Sequence, residues 1–163
     1  FYSESEFDLG AIPRLKGRLL EVGRTCISAE FRQGSAIAVL WSGLAGFIQL
    51  HGFDYLFGCA SMPLGEDDVQ AAAIMNRLRR QAMVSSDLRV VPRAPLHTTQ
   101  VSDDVLDAPL PALLRAYVRL GAKVCGEPCR DPDFGVADVL MLLDVDELNP
   151  TYSRHFLERA ASL

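Results

Sequence analysis

The chain has 163 residues, 49% of them hydrophobic and 23% charged, with a formal net charge of −5. This excludes a disordered or collagen-like chain and suits one domain with a real core. The acidic balance excludes the basic footprint of a dedicated nucleic-acid binder, and no apolar run reaches the roughly 20 residues of a membrane span.

Residues 1–17 read as an irregular entry with helical character over 6–9, closed by Pro13. Residues 18–28 read as a strand. A turn over 30–35 leads to Ser35, a good N-cap for a helix over 36–50. That helix is apolar nearly all round, which predicts burial on more than one side. Residues 55–61 read as a second strand, with Tyr55, Phe57, Cys59 and Ser61 on one face and Leu56, Gly58 and Ala60 on the other. The small residues leave a low strip for close backbone approach.

Glu66, Asp67 and Asp68 open a helix running to residue 83, with Arg77, Arg79 and Arg80 at its end, as the helix dipole favours. Residues 85–107 are polar and broken by prolines, with short strand pieces at 88–91 and 98–101. A helix over 111–120 is closed by Gly121. Residues 123–126 read as a short strand, 137–145 as a buried strand, and 151–161 as a last helix. The order predicts an α/β fold with a right-handed strand–helix–strand crossover at its centre.

Charge is uneven. Residues 77–93 hold five arginines and one aspartate, whereas 131–147 hold six acidic residues and no basic one. The four cysteines form no C-x-x-C pair, so no metal site is expected and a reducing compartment is the default. Cys26 and Cys59 read as small buried hydrophobes.

Three segments carry candidate chemistry. Arg32, Gly34, Ser35 and Ala36 lie between a strand and a helix N-terminus, which suits either a phosphate cradle or a plain N-cap. Glu21 and Arg24 sit three apart in the first strand and share a face only if Gly23 carries a bulge; they read as a catalytic pair or a structural ion pair. Asp131-Pro132-Asp133-Phe134 is a tight turn before the strand that Asp138 begins. His51, His97 and His155 are scattered and show no hydrolase order.

Taken together, FYSESEFDL, LLEVGRTCI, FRQGSAIAVLWSGLAGFI, YLFGCASM and LLRAYVRLGAKVCGEPCRDPDFGVADVLMLLDVD resemble the ornithine N-acyltransferases, the GNAT-type enzymes of ornithine lipid synthesis with hemolysin-like relatives. The resemblance implies a GNAT-like mixed sheet flanked by helices. It also implies that the N-terminal part of the fold is missing, so that residues 1–163, beginning at Phe, form the C-terminal part of one domain. The implied reaction moves a (3-hydroxy)fatty acyl group from acyl carrier protein to the α-amine of ornithine or a similar amino acid.

The donor loop, Arg32-x-Gly34-x-Ala36, is one residue shorter than the R/Q-x-x-G-x-G/A of acetyl-CoA enzymes. That suits the single phosphate of a carrier-borne phosphopantetheine arm in preference to CoA, with no resident cofactor. The resemblance implies Glu21 as the base, then Asp133 or Asp138, with the N–H groups of residues 23–25 holding the oxyanion. It places Cys26, Arg32, Gly34, Ser35, Ala36, Gly58 and Ser61 on the donor, and Arg24, Tyr117, Asp131 and Phe134 on the acceptor. Arg77, Arg79, Arg80, Arg115 and Arg119 would dock the acidic carrier. The expected location is cytoplasmic, with peripheral contact at the inner membrane. An acyl-homoserine-lactone-synthase-like enzyme and a non-catalytic fragment are the rival readings.

Overall fold

The structure, a computed structural model, describes residues 1–31, 36–96 and 108–148. In chain order its strands are β1 (Phe7–Asp8), β2 (Leu19–Glu21), β3 (Tyr55–Pro63), β4 (Val91–Pro92), β5 (Lys123–Val124), β6 (Cys129–Asp131) and β7 (Val136–Asp144). Its α-helices are α1 (Ala36–His51), α2 (Val69–Gln81) and α3 (Ala112–Leu120). This is a mixed α/β fold. The main sheet runs β2-β3-β7-β5, with β6 also on β7, and β1 pairs with β4 in a separate ribbon.

β3 and β7 are the spine. They pair antiparallel at every position from Tyr55↔Asp144 to Pro63↔Val136. Their alternation makes two cores. Ala60, Met62, Val139 and Met141 pack with Ile74, Met75 and Leu78 of α2 and Leu114 of α3. Phe57, Leu140 and Leu142 pack with Phe7, Leu9 and Ile12 of the N-terminal segment. The sheet is thus covered by helices on one side and by the chain's entry on the other.

The crossover stands as expected: β2 and β3 are parallel with α1 between them. Several boundaries differ. The strand expected over 18–28 stops at Glu21, and the backbone turns into the left-handed region at Arg24, φ 52°. The helical character expected at 6–9 gives way to β1, because Phe7 and Leu9 are buried while Asp8 between them is exposed, a period of two. The helix expected from residue 66 begins at Val69. Asp67 and Asp68 take positive φ and form a 3-10 turn, and the Asp68 carboxylate pairs with Arg130 of β6.

The helix over α1 is correct, but its expected burial on more than one side is not. Ser42 and Ala45 are buried, whereas Val39, Leu40, Phe47 and Leu50 are exposed, Leu50 by 81%. These four lie on one outward stripe at helical spacing. β6 was not anticipated at all. The strand piece at 98–101 and the helix at 151–161 lie outside the described residues. Among the described residues, no helix is long and apolar enough to cross a membrane.

Candidate functional site where two parallel strands part

β2 and β3 are in register at Leu19↔Tyr55, Leu20↔Leu56 and Glu21↔Phe57. The last bond between them runs from the Val22 N–H to the Phe57 carbonyl, 2.8 Å. Beyond it the Arg24 turn carries the chain away. Among the described residues no strand takes up the edge of β3 past Phe57 on that side. The unpaired edge can accept another extended, amide-bearing chain.

Gly58 sits at the parting. A Cβ there would lie 2.0 Å from the Val22 carbonyl oxygen. This corrects one expectation: the low strip at Gly58 is already filled by the backbone of Val22. On the helical side a small apolar cleft opens at this point, bounded by Val22, Trp41, Gly58, Tyr117 and Met141. The Tyr117 ring meets Trp41 edge to face at 5.6 Å, and burial pushes its phenol pKa up.

The other side of the sheet carries the carboxylates. Glu21 accepts the Tyr2 N–H at 2.7 Å, the Ser3 N–H at 2.6 Å and the Ser3 hydroxyl at 2.6 Å. Burial alone would raise its pKa, but these bonds outweigh it and hold the carboxyl below its usual range. The Cys59 thiol donates to Ser3 Oγ at 3.4 Å and also lies against Glu6. Burial pushes that thiol far above its ordinary range, so it is no nucleophile at neutral pH.

Glu6 and Asp138 behave differently from Glu21. Asp138 is 5% exposed and faces Ser61 across the β3–β7 ladder. Burial raises its pKa, and the Ser61 hydroxyl works against that rise. Burial also raises Glu6, and the charge of Asp138 adds to it. Glu6 Oε2 is buried with no hydrogen-bond partner. Two carboxyls held above their usual range, beside a hydroxyl, can take a proton from an amine.

The structure therefore brings Glu21, Ser61 and Asp138 to one face, and adds Glu6. It does not bring the other expected residues there. Arg24 is exposed, with its guanidinium over the Tyr2 ring at 5.3 Å. Asp133 is an exposed turn residue, and Asp131 Oδ1 accepts the Asp133 and Phe134 N–H groups at 3.0 and 3.2 Å. Asp131 and Phe134 sit by Val136, some five residues from Met141 and the Tyr117 cleft, about 17 Å along a strand. Tyr117 and this turn therefore do not form one acceptor pocket. Cys26, expected to be buried, is exposed because the strand ends before it. Arg32, Gly34 and Ser35 lie outside the described residues, and Ala36 begins α1.

The arginines divide similarly. Arg79 is held by both carboxylate oxygens of Glu127, and Arg77 by Gln81 and the Ala108 carbonyl. Structural partners account for these two. Arg115 and Arg119 are exposed on α3.

The acetyltransferase (GNAT) domain family matches residues 1–42. Over nearly its whole length the chain is similar to L-ornithine N(alpha)-acyltransferases. It is 32% identical to that of Rhizobium meliloti (strain 1021) over 165 residues, covering 96% of this chain and 55% of the relative. It is 30% identical to that of Rhodobacter capsulatus over 164 residues, covering 98% and 63%. The Brucella abortus protein is 30% identical over 167 residues, covering 96% and 58%. The chain thus spans between 55% and 63% of the length of these relatives. No solved structure matches the chain.

Proposed function

We propose that this chain carries part of an N-acyltransferase that moves a fatty acyl group from a carrier-bound thioester to the α-amine of ornithine. The similarity to L-ornithine N(alpha)-acyltransferases over nearly the whole chain carries this reading. The parting of β2 and β3 supports it physically. A phosphopantetheine arm is an extended chain with two amides, and the open edge of β3 offers backbone groups to pair with them. The acyl carrier protein is acidic, and Arg115 and Arg119 on α3 offer it a basic surface. The acylated amino acid is an amphiphile, which favours action at the inner face of the membrane.

The amine attacks the thioester carbonyl. A C–N bond forms, the C–S bond breaks, and the sulfur leaves as the carrier's thiol once it gains a proton. The amine must give up a proton. Asp138, with Glu6 beside it, is the acceptor we assign, because both are held above the usual carboxylate range. Glu21 keeps Ser3 and the N-terminal turn in place beside them.

The test uses the full-length protein with an acyl carrier thioester and L-ornithine, and reads the acylated product by mass. Asp138→Asn is expected to lower kcat about 100-fold while the donor KM stays within a few-fold. An unchanged kcat removes Asp138 as the proton acceptor. Absence of any acyl-ornithine from the wild type removes the reading itself.

A further inference from the structure

The cleft at Gly58 does not end there. Four of its wall residues, Trp41, Leu56, Leu120 and Leu143, also line a second cavity that runs beneath α1. This second cavity has a volume of about 300 Å³. Its remaining apolar wall comes from Leu44, Ala45 and Ile48 of α1 and from Val145 and Leu148 beyond β7. Among the described residues, the polar members of the wall are Gln49 and Asp146, and neither lines the cleft at Gly58. Most of its wall side chains are half-buried, so the space is an apolar groove that solvent can reach.

Its position follows from the sequence of α1. The face of α1 toward the space carries Ala45 among the larger Trp41, Leu44 and Ile48. The small Ala45 leaves room between these larger neighbours, and the space under α1 remains open. We infer that this space is the binding site for the hydrocarbon chain of the acyl donor, entered from the point where β2 and β3 part. The thioester would sit at the parting, and the alkyl chain would run between Trp41 and Leu143 under Ala45 and Ile48. Water is displaced from apolar walls as it enters, which favours binding by about 0.8 kcal/mol per methylene. At about 30 Å³ for a water-sized group, the volume holds roughly ten such groups. The site therefore favours long chains over short ones and is indifferent to the acceptor. This inference rests on the acyl-transfer reading for its ligand but not for its location.

Trp41 is the one tryptophan of the chain and lines both spaces, so it reports occupancy directly. Full-length protein is titrated with cis-parinaric acid, a fluorescent fatty acid that takes up tryptophan emission, with Trp41→Phe as the blank. Transfer is measured in parallel from palmitoyl- and butyryl-carrier thioesters. Ala45→Phe fills the cavity from α1, and Ile48→Phe fills it from a second position in case the first variant does not fold. The expected result is energy transfer from Trp41 in the wild type and its loss in the filled variants. Those variants should also lose palmitoyl kcat/KM at least about tenfold more than butyryl kcat/KM. Lack of energy transfer in the wild type, or an equal fall for the two donors in a folded variant, overturns the site. If energy transfer is present but neither donor acylates an amino acid, the cavity stands and the transferase reading fails.

Discussion

Glu21 and Asp138 are both carboxylates on one sheet face, yet their surroundings assign them opposite tasks. Three donors from Tyr2 and Ser3 stabilise the Glu21 anion, so its folded pKa lies below the unfolded value. Such a group adds stability above its unfolded pKa, and that stability is lost as pH falls through the folded value. Glu21→Gln should therefore cost about 1–2 kcal/mol near neutral pH and flatten the loss of stability on acidification. Urea unfolding at a series of pH values checks this, and an unchanged acid limb would sink the anchoring role. Glu6 has the reverse sign. Its folded pKa is raised, so the folded protein binds the proton first and gains stability as pH falls through that value. Glu6→Gln should remove that gain and leave neutral-pH stability equal or higher, in the same titration. The sequence pattern singled out Glu21 and Asp138 but passed over Glu6. Nothing local distinguishes Glu6 from Glu4; only the packing of Phe7 into the core brings it against Cys59 and Asp138.

At the scale of elements, the long strands, the helices and the short β5 were readable, whereas β1 and β6 were not. β3 and β7 alternate or run apolar over nine residues each, which is enough for periodicity to speak. β1 and β4 have two residues each and exist because they pair with one another, which no window reveals. The end of β2 was misjudged for a related reason. RTCIS has good strand propensity, but the left-handed turn at Arg24 overrides it. The parting of β2 and β3 also gives Gly58 a different task from the one its smallness suggested. Gly58→Ala would push a methyl group into the Val22 carbonyl, closer than any real contact, so β2 must shift. We expect a loss of about 2–3 kcal/mol in stability and a smaller opening for the donor. Thermal unfolding and donor KM measure the two effects; a fully stable Gly58→Ala variant with normal donor KM would mean that the strands part elsewhere. α1 shows the limit of patterning most clearly. Its apolarity announced a helix, but only the fold says which stripe faces out and which lines the cavity.

Across the whole molecule, the sheet separates two kinds of chemistry. Its helical side holds the apolar spaces under Trp41 and α1, and its other side holds the carboxylates under the N-terminal segment. The segment is a roof, fixed by Phe7 with no exposed surface, by the β1–β4 pair and by Arg93, whose Nε donates to the Glu4 carbonyl at 2.7 Å. Burial under that roof is the main cause of the raised Glu6 and Asp138 pKa values. Phe7→Ala tests whether the two sides act separately. It should cost about 3–5 kcal/mol, as loss of a fully buried phenylalanine does. In the molecules that remain folded, water reaches the two carboxyls and their pKa values relax downward. Because the base must be ionised, the acid limb of kcat should move to lower pH. Energy transfer from Trp41 to parinaric acid should stay unchanged, since Phe7 contributes nothing to the cavity wall. A shift in acyl-chain binding without a shift in the pH profile would show the opposite division of labour. Acyl recognition would then depend on the roof, and the carboxylates would owe their state to the strands alone.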